Sequence, residues 1–243
     1  MYEMVEDSSE RLLLSCTDVE GLFRDASERV ETQAVRLVGI GVMPPALPAS
    51  FSDVGLLIRN EWGVEIGYYY VGRVAIRDGG EGDDSRRLTA DLFGYFVPYS
   101  YAGSIWSLWV HSPPAIAGQW AAMPVAAHPS WLHVAQKAWL GTGHRAACEL
   151  HDSYFSAQID GTQILSPASM YCALGEVFNG PGGYFGASLG GMVDCLRNSD
   201  RVLAAHPRVE WQDFSLPEAR SEQEEIRLAI SELRDFGVEL CLD

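Results

Sequence analysis

The sequence predicts an α/β C-terminal domain, with a small parallel three-stranded sheet and packed helices, preceded by a mainly β N-terminal domain. In the first part of the chain, short apolar runs with a period of two are separated by turn-forming stretches, which is typical of β-strands. Later, strand-like segments alternate with helical periods, and this order favours parallel strands joined by right-handed crossovers. We therefore predict a mainly β domain over residues 1–147 and an α/β domain over residues 148–243.

The N-terminal domain is expected to contain five strands, at residues 11–15, 34–42, 54–60, 64–76 and 87–97. Stretches rich in proline, glycine and aspartate at residues 43–53 and 77–86 predict turns between them. Pro129 and Ser130 predict the start of a helix, which Gly141 ends. Residues 141–150 are expected to form the linker between the domains.

The C-terminal domain is predicted to begin with a strand at residues 153–159 and a turn at residues 160–161. Ser166 is expected to cap the next helix, because its hydroxyl can accept from a free backbone N–H group. Pro167 suits the first helical position, where no N–H is needed. The glycine-rich run at residues 179–183 ends this helix.

Two more helices and two strands complete the predicted domain. One helix is expected over residues 189–196, where apolar side chains recur at helical spacing at Leu189, Met192, Val193 and Leu196. The last helix is predicted to open with a capping box formed by Ser221 and Glu224. Strands are predicted at residues 208–214 and 237–243.

The charge balance limits the partners that the chain can take. Lys and Arg number 17 against 33 Asp and Glu, so the formal net charge is −16. Such a chain repels nucleic-acid phosphates and anionic membrane surfaces and favours a basic partner. We therefore predict no nucleic-acid partner and no membrane partner.

The remaining composition points to a cytoplasmic protein without a metal or cofactor. The first residues are acidic and show no secretory signal pattern, which predicts a cytoplasmic location. The five cysteines are widely spaced and form no CxxC or Cys/His cluster, so reduced thiols are expected. The histidines show no metal-ligand spacing, and we predict no cofactor.

A serine at position 188 raises the question of catalysis. Residues 186–190 read GASLG and fit the G-x-S-x-G elbow of serine hydrolases, which needs a buried strand before it and an acid and a histidine after it. Here the preceding residues are glycine-rich, and the one later histidine, His206, follows too closely. We therefore predict that Ser188 is a helix N-cap and that the chain is not an enzyme.

The helix after Ser188 presents a second face to solvent. If its apolar residues point inward, Gly190, Asp194 and Asn198 lie outward at positions i, i+4 and i+8. Tyr184 and Phe185 directly precede this helix. The aromatic pair either forms a binding ridge beside an outward carboxylate or packs the loop against the core, and the residues alone leave both alternatives open.

Four segments in order, IDGTQI, GYFGASLGGMVDCL, VEWQDF and a final helix and strand, resemble the barstar family of intracellular inhibitors of barnase-type ribonucleases. The resemblance covers residues 153–243. The family pattern around the second helix is matched at Tyr184, Phe185, Gly186, Leu189 and Asp194, with Met192 in place of a leucine. The sequence departs from that pattern at three positions: Ser188 replaces the family's asparagine, Gly190 replaces an aspartate and Gly191 replaces an alanine.

The resemblance implies a barstar-like fold and a mechanism in which helix carboxylates enter the basic RNA-phosphate pocket of the ribonuclease. It assigns the deepest carboxylate to Asp194, a packing aromatic to Tyr184 and a rim carboxylate to Glu232. Phe185, Gly186, Gly190 and Asn198 complete the expected toxin-binding set.

The expected function is stoichiometric inhibition of a basic, guanyl-specific, barnase-type ribonuclease, as an immunity protein. Because Gly190 lacks the family's carboxylate, one alternative is an interaction module on the same fold that no longer inhibits ribonuclease. An enzyme with its site in the N-terminal domain is a third alternative, and the sequence predicts no particular role for that domain.

Overall fold

The computed structural model describes residues 1–25, 31–79, 87–93, 97–141, 156–199 and 207–243. The chain divides into two compact units, Met1–Ser112 and Pro113–Asp243. The division falls before the helix that Pro129 and Ser130 predicted, whereas the sequence placed the boundary after it. This helix packs against a helix of the second unit, which explains why it groups with that unit.

The first unit contains a seven-stranded antiparallel sheet in the order β2-β1-β5-β6-β7-β4-β3. Its strands are β1 (Tyr2–Glu6), β2 (Arg11–Cys16), β3 (Asp18–Glu20), β4 (Thr32–Val38), β5 (Ser50–Arg59), β6 (Glu65–Gly79) and β7 (Arg87–Phe93). Strands occur at all five predicted places, but the strand predicted over residues 34–42 ends at Val38, and residues 94–96 of the strand predicted over 87–97 lie outside the described residues. The turn predicted over residues 77–86 is wrong at its start, because β6 continues to Gly79, and the rest of it lies outside the described residues. The short, acidic β1 and β3 were not predicted. The turn predicted over residues 43–53 is wrong in its last part, because β5 begins at Ser50.

The helix α1 (Ala102–His111) packs on this sheet and was not predicted. Trp106 is fully buried, and its Nε1 donates a hydrogen bond of 2.8 Å to Tyr69 Oη on β6. Gly67 leaves the space that the indole ring of Trp106 occupies, since a Cβ there would clash with the ring. These aromatic residues therefore join the buried aliphatic residues of the sheet in the core of the first unit.

The second unit contains a sheet of three parallel strands, as the sequence predicted, and the strand order is β10-β9-β8. The strands are β8 (Ser156–Asp160), β9 (Arg208–Gln212) and β10 (Glu239–Leu242). The helices are α2 (His128–Gly141), α3 (Pro167–Asn179), α4 (Leu189–Arg197) and α5 (Arg220–Asp235). The predicted linker at residues 141–150 lies outside the described residues except for Gly141, the last residue of α2.

The predicted caps of two helices in this unit can be compared with the helix ends in the structure. Ser166 caps α3 by accepting from the Ser169 N–H, with Pro167 at the first position, so both predictions are confirmed. The predicted capping box at Ser221 and Glu224 is wrong. Helix α5 begins one residue earlier, after Ala219, which places Ser221 inside the helix, and no side chain caps it.

Helix α3 lies at the centre of the second unit and is buried around most of its circumference. It contacts α2 on one side and α5 on another. The ring of Phe178 packs against that of Phe185, with centroids 4.2 Å apart. Tyr171 Oη donates to Glu225 Oε1 on α5 at 2.9 Å. The helix is therefore fixed to its neighbours by both apolar and polar contacts.

One buried carboxylate on α3 joins two separate segments of the unit. Glu176 Oε2 accepts from the Gly118 N–H at 2.7 Å and from Trp120 Nε1 at 3.0 Å, both upstream of α2. Its Oε1 accepts from the Gly182 N–H at 3.1 Å, in the loop that leads to α4. Burial raises the pKa of the Glu176 carboxyl, while the three N–H donors act in the opposite direction.

Replacing Glu176 with Gln is expected to lower the free energy of unfolding by about 1–3 kcal/mol, because the new amide nitrogen would face at least one N–H donor. Thermal unfolding followed by circular dichroism measures this change. The exposed Glu224→Gln variant on α5 is the matched control. Equal melting temperatures for the two variants would contradict a joining role for Glu176.

Candidate protein-binding site

Helix α4 begins at a serine cap. Ser188 has an extended backbone, its Oγ accepts from the Gly191 N–H at 3.2 Å, and its carbonyl accepts from the Met192 N–H at 2.9 Å. The prediction that Ser188 is an N-cap is therefore confirmed. His206, the histidine that a hydrolase would require, lies outside the described residues.

The two faces of α4 differ as the spacing predicted. Met192 and Leu196 are buried, and Leu189 and Val193 are partly buried. The opposite side, which we name the outer face of α4, is exposed and consists of Gly190, Asp194 and Asn198. Because α4 also packs against α5, its outer face has a fixed orientation within the unit.

Asp194 supplies the carboxylate of the outer face. Arg197 Nη1 lies 3.9 Å from Asp194 Oδ1, and 74% of the Asp194 side chain is exposed. An ion pair this open to solvent contributes little free energy, so the carboxylate can exchange Arg197 for a cation of a partner. Asn198 Nδ2 donates to the Asp194 carbonyl oxygen at 2.8 Å, so its amide group closes the end of α4.

The aromatic pair before α4 packs the loop and forms no exposed ridge. Phe185 is fully buried against Phe178, which places it in the core and not on a surface that a partner can reach. Tyr184 keeps only 9% of its surface exposed. Asn179 Nδ2 donates to the Tyr184 carbonyl oxygen at 2.6 Å and fixes the backbone of the loop.

The hydroxyl of Tyr184 connects α4 to α2. Gln136 Nε2 on α2 donates to Tyr184 Oη at 3.0 Å. The same oxygen lies 3.9 Å from the position that a Cβ on Gly191 would take, in the first turn of α4. The sequence predicted α2 but gave no signal for this contact, since Gln136 and Tyr184 are 48 residues apart.

The three glycines of the site differ in how strictly the surrounding structure requires glycine. Gly186 has φ +94°, and a Cβ on it would lie 2.6 Å from Met192 Cα, so the loop can close onto α4 only with glycine. Gly191 lies close to Tyr184 Oη. Gly190 has open space around it and no steric need for glycine.

Glu232, the expected rim carboxylate, is partly exposed in the last full turn of α5. Helix α5 packs against α4, so the structure brings the two helices that carry Asp194 and Glu232 into contact. The structure therefore brings together α4 and the loop before it, places Glu232 on the neighbouring α5, and fixes the loop to α2 through the hydrogen bond between Gln136 and Tyr184.

Comparisons of the chain with protein-family models, with curated proteins and with solved structures found no match. In the described ranges, no group of three or more His, Cys, Asp or Glu side chains is placed to hold a metal ion. Among the helices of those same ranges, none combines the length and apolar character needed to cross a membrane.

The glycines at 186 and 190 are expected to respond oppositely to alanine. Gly186→Ala should destabilise the protein by about 2 kcal/mol or more, because it forces alanine into a left-handed backbone and a clash. Gly190→Ala should stabilise it by about 1 kcal/mol, because alanine is the better helix former in open space. Chemical denaturation of both variants measures these changes, and effects of the same sign would contradict the assigned roles.

Proposed function

We propose that the chain is a stoichiometric inhibitor of a basic barnase-type ribonuclease and acts as an immunity protein in the cytoplasm of the cell that makes it. The observation that carries the proposal is the exposed carboxylate of Asp194 on the outer face of a capped helix. Two further observations support the proposal, namely the parallel three-stranded sheet of this unit and the resemblance of its sequence to the barstar family.

The chemistry of the proposed complex is phosphate mimicry. A barnase-type ribonuclease binds RNA phosphate with lysine and arginine side chains, and a carboxylate on a rigid helix can take the place of the phosphate. Asp194 suits this purpose, since 74% of its side chain is exposed and the ion pair that it forms within the described residues is with the exposed Arg197. Glu232, which the family resemblance assigns to the rim, is partly exposed on the adjoining α5 and is proposed as a second acidic contact.

The charge of the second half of the chain favours encounter with a basic enzyme. Residues 151–243 contain 15 acidic and six basic side chains. A net negative surface accelerates association with a cationic partner, and salt weakens this effect. The proposal therefore includes inhibition that weakens as the salt concentration rises.

Gly190 favours a second candidate function. At this position the family pattern has an aspartate, whereas Gly190 contributes no side chain to the outer face. Losing one of the two helix carboxylates removes charge from the side that enters the phosphate pocket. The second candidate is therefore an interaction module on the same fold that binds a different basic protein.

Replacing Asp194 with Asn is expected to weaken inhibition of a barnase-type ribonuclease by about 100-fold, because the basic pocket would be buried without its counter-charge. Titration of the full chain into the enzyme at two salt concentrations measures the inhibition constant and the stoichiometry. Asp213→Asn, which removes an exposed carboxylate at the end of β9, is the matched control for overall charge.

Two further outcomes of this titration and one separate activity assay distinguish the alternative functions. Inhibition that survives in Asp194→Asn would refute the phosphate-mimic mechanism. The absence of inhibition by the unchanged chain at micromolar concentration would favour the interaction module. A hydrolase centred on Ser188 would lose its activity in Ser188→Ala, whereas an inhibitor should retain its function and lose only about 1 kcal/mol of stability with the cap.

Replacing Gly190 with Asp is expected to tighten inhibition about tenfold or more, because a second carboxylate would enter the pocket beside Asp194. The open space at Gly190 accepts the side chain without rearrangement. The isosteric Gly190→Asn variant is the control, since both substitutions remove the glycine but only one adds charge. If both variants inhibit equally, the added charge has no role at this position.

A further inference from the structure

A cleft of about 360 Å³ lies within the second unit, between the edge strand β8, helix α3 and the segment at residues 117–120. A cleft of this volume is large enough for one small molecule. Much of its lining is apolar and comes from Ala117, Trp120, Ile159, Ala173 and Val177. This apolar wall suits an aliphatic chain.

The rest of the lining is polar and negatively charged. It includes the carboxylates of Asp160 and Glu176 and the amide groups of Gln158 and Gln163. Among the described residues that line the cleft there is no lysine, arginine or histidine. Within the described part of the chain, both carboxylates accept only from uncharged N–H and O–H donors. The cleft therefore has negative charge without a cation of its own.

Hydrogen bonds connect the two carboxylates along one polar wall. Gln163 Nε2 donates to Asp160 Oδ2 at 3.0 Å. The other end of the same amide, Gln163 Oε1, lies 3.7 Å from the position that a Cβ on Gly118 would take. The Gly118 N–H group in turn donates to Glu176 Oε2 at 2.7 Å. Because Asp160 holds the nitrogen of the Gln163 amide, the oxygen is directed toward the Gly118 side of the cleft.

This polar wall has acceptors available for a ligand. A carboxylate has about four acceptor positions, and three donors occupy those of Asp160 and of Glu176 alike. Gln163 Oε1 accepts no hydrogen bond from the described residues. A ligand that matches this wall must bring N–H donors and positive charge, and guanidinium and ammonium groups supply both.

We propose that this cleft binds an organic cation, namely a guanidinium or ammonium group on a short aliphatic chain. The cation lies against Asp160, Gln163 and Glu176, and the chain lies against the apolar wall. The cleft contains no residue of α4, so this inference does not rest on the proposed function. The cation belongs either to a free small molecule or to a lysine or arginine side chain of a protein.

Titration of the full chain with n-butylguanidinium, followed by calorimetry, tests the proposal. The matched control ligand is N-butylurea, which has a similar planar head group and the same chain but no charge. We expect saturable, one-to-one binding of the cation that is at least about tenfold tighter than binding of the urea. A short glycine peptide with one central arginine distinguishes the sources. Tighter binding of the peptide assigns the cation to a protein side chain, and tighter binding of n-butylguanidinium assigns it to a small molecule.

Two substitutions at exposed residues test the two walls. Asp160→Asn should weaken binding of the cation by about tenfold, because it removes one charge and turns the nitrogen of Gln163 toward the cleft. Its control is Glu224→Gln, an exposed carboxylate on α5. Ala117→Leu should weaken binding by a similar factor, because the larger side chain occupies part of the cleft. Its control is Ala115→Leu, at an exposed alanine outside the lining.

Binding that requires the charge of the ligand, Asp160 and an unfilled cleft supports the site. Equal binding of cation and urea, no saturable binding of the cation, or losses in the two control variants as large as in the two test variants would overturn it. Unchanged melting temperatures by circular dichroism show that the variants remain folded. Asp194→Asn should bind n-butylguanidinium as the unchanged chain does, so failure of the cleft and failure of ribonuclease inhibition are distinguishable.

Discussion

The buried carboxylate of Glu176 is the interaction on which the second unit depends. Its two oxygens accept from three N–H groups that belong to two distant segments, one leading into α2 and one leading into α4. A charged group in a buried position is stable only with such partners. Because one side chain anchors both segments, the two helices beside Tyr184 are oriented from a common point on α3. The proposed binding surface is therefore held by the core and does not rely on flexible loops.

Several elements could be predicted from the sequence because they depend on contacts between neighbouring residues. Features that depend on long-range contacts could not be predicted in this way. The caps at Ser166 and Ser188 were predictable because a serine hydroxyl and the first free N–H groups lie within one turn of each other. The capping box at Ser221 failed because the chain had entered the helix one residue earlier. The partners of Glu176 are up to 58 residues away, and no local pattern encodes that distance.

The candidate site shows the same division between local and long-range information. The outward position of Asp194 follows from helical spacing, because the apolar residues of α4 define the buried side. Whether Phe185 points into the core or into solvent depends on Phe178, which a different helix supplies. The contribution of Gln136 depends on how α2 packs in the second unit. The sequence therefore predicted the helix that carries the candidate site but not the long-range contacts that fix the loop before it.

In the loop and helix that carry Asp194, the glycine that folding requires and the position open to substitution are different residues. At Gly186, in the loop, the backbone excludes every side chain, whereas at Gly190, four residues later in the first turn of α4, the surrounding space is empty. Substitutions at the second position leave the packing of the unit untouched and change only what a partner meets. Under the proposed function, a lineage of such proteins can thus alter its target through single changes at one site without first acquiring compensating mutations elsewhere.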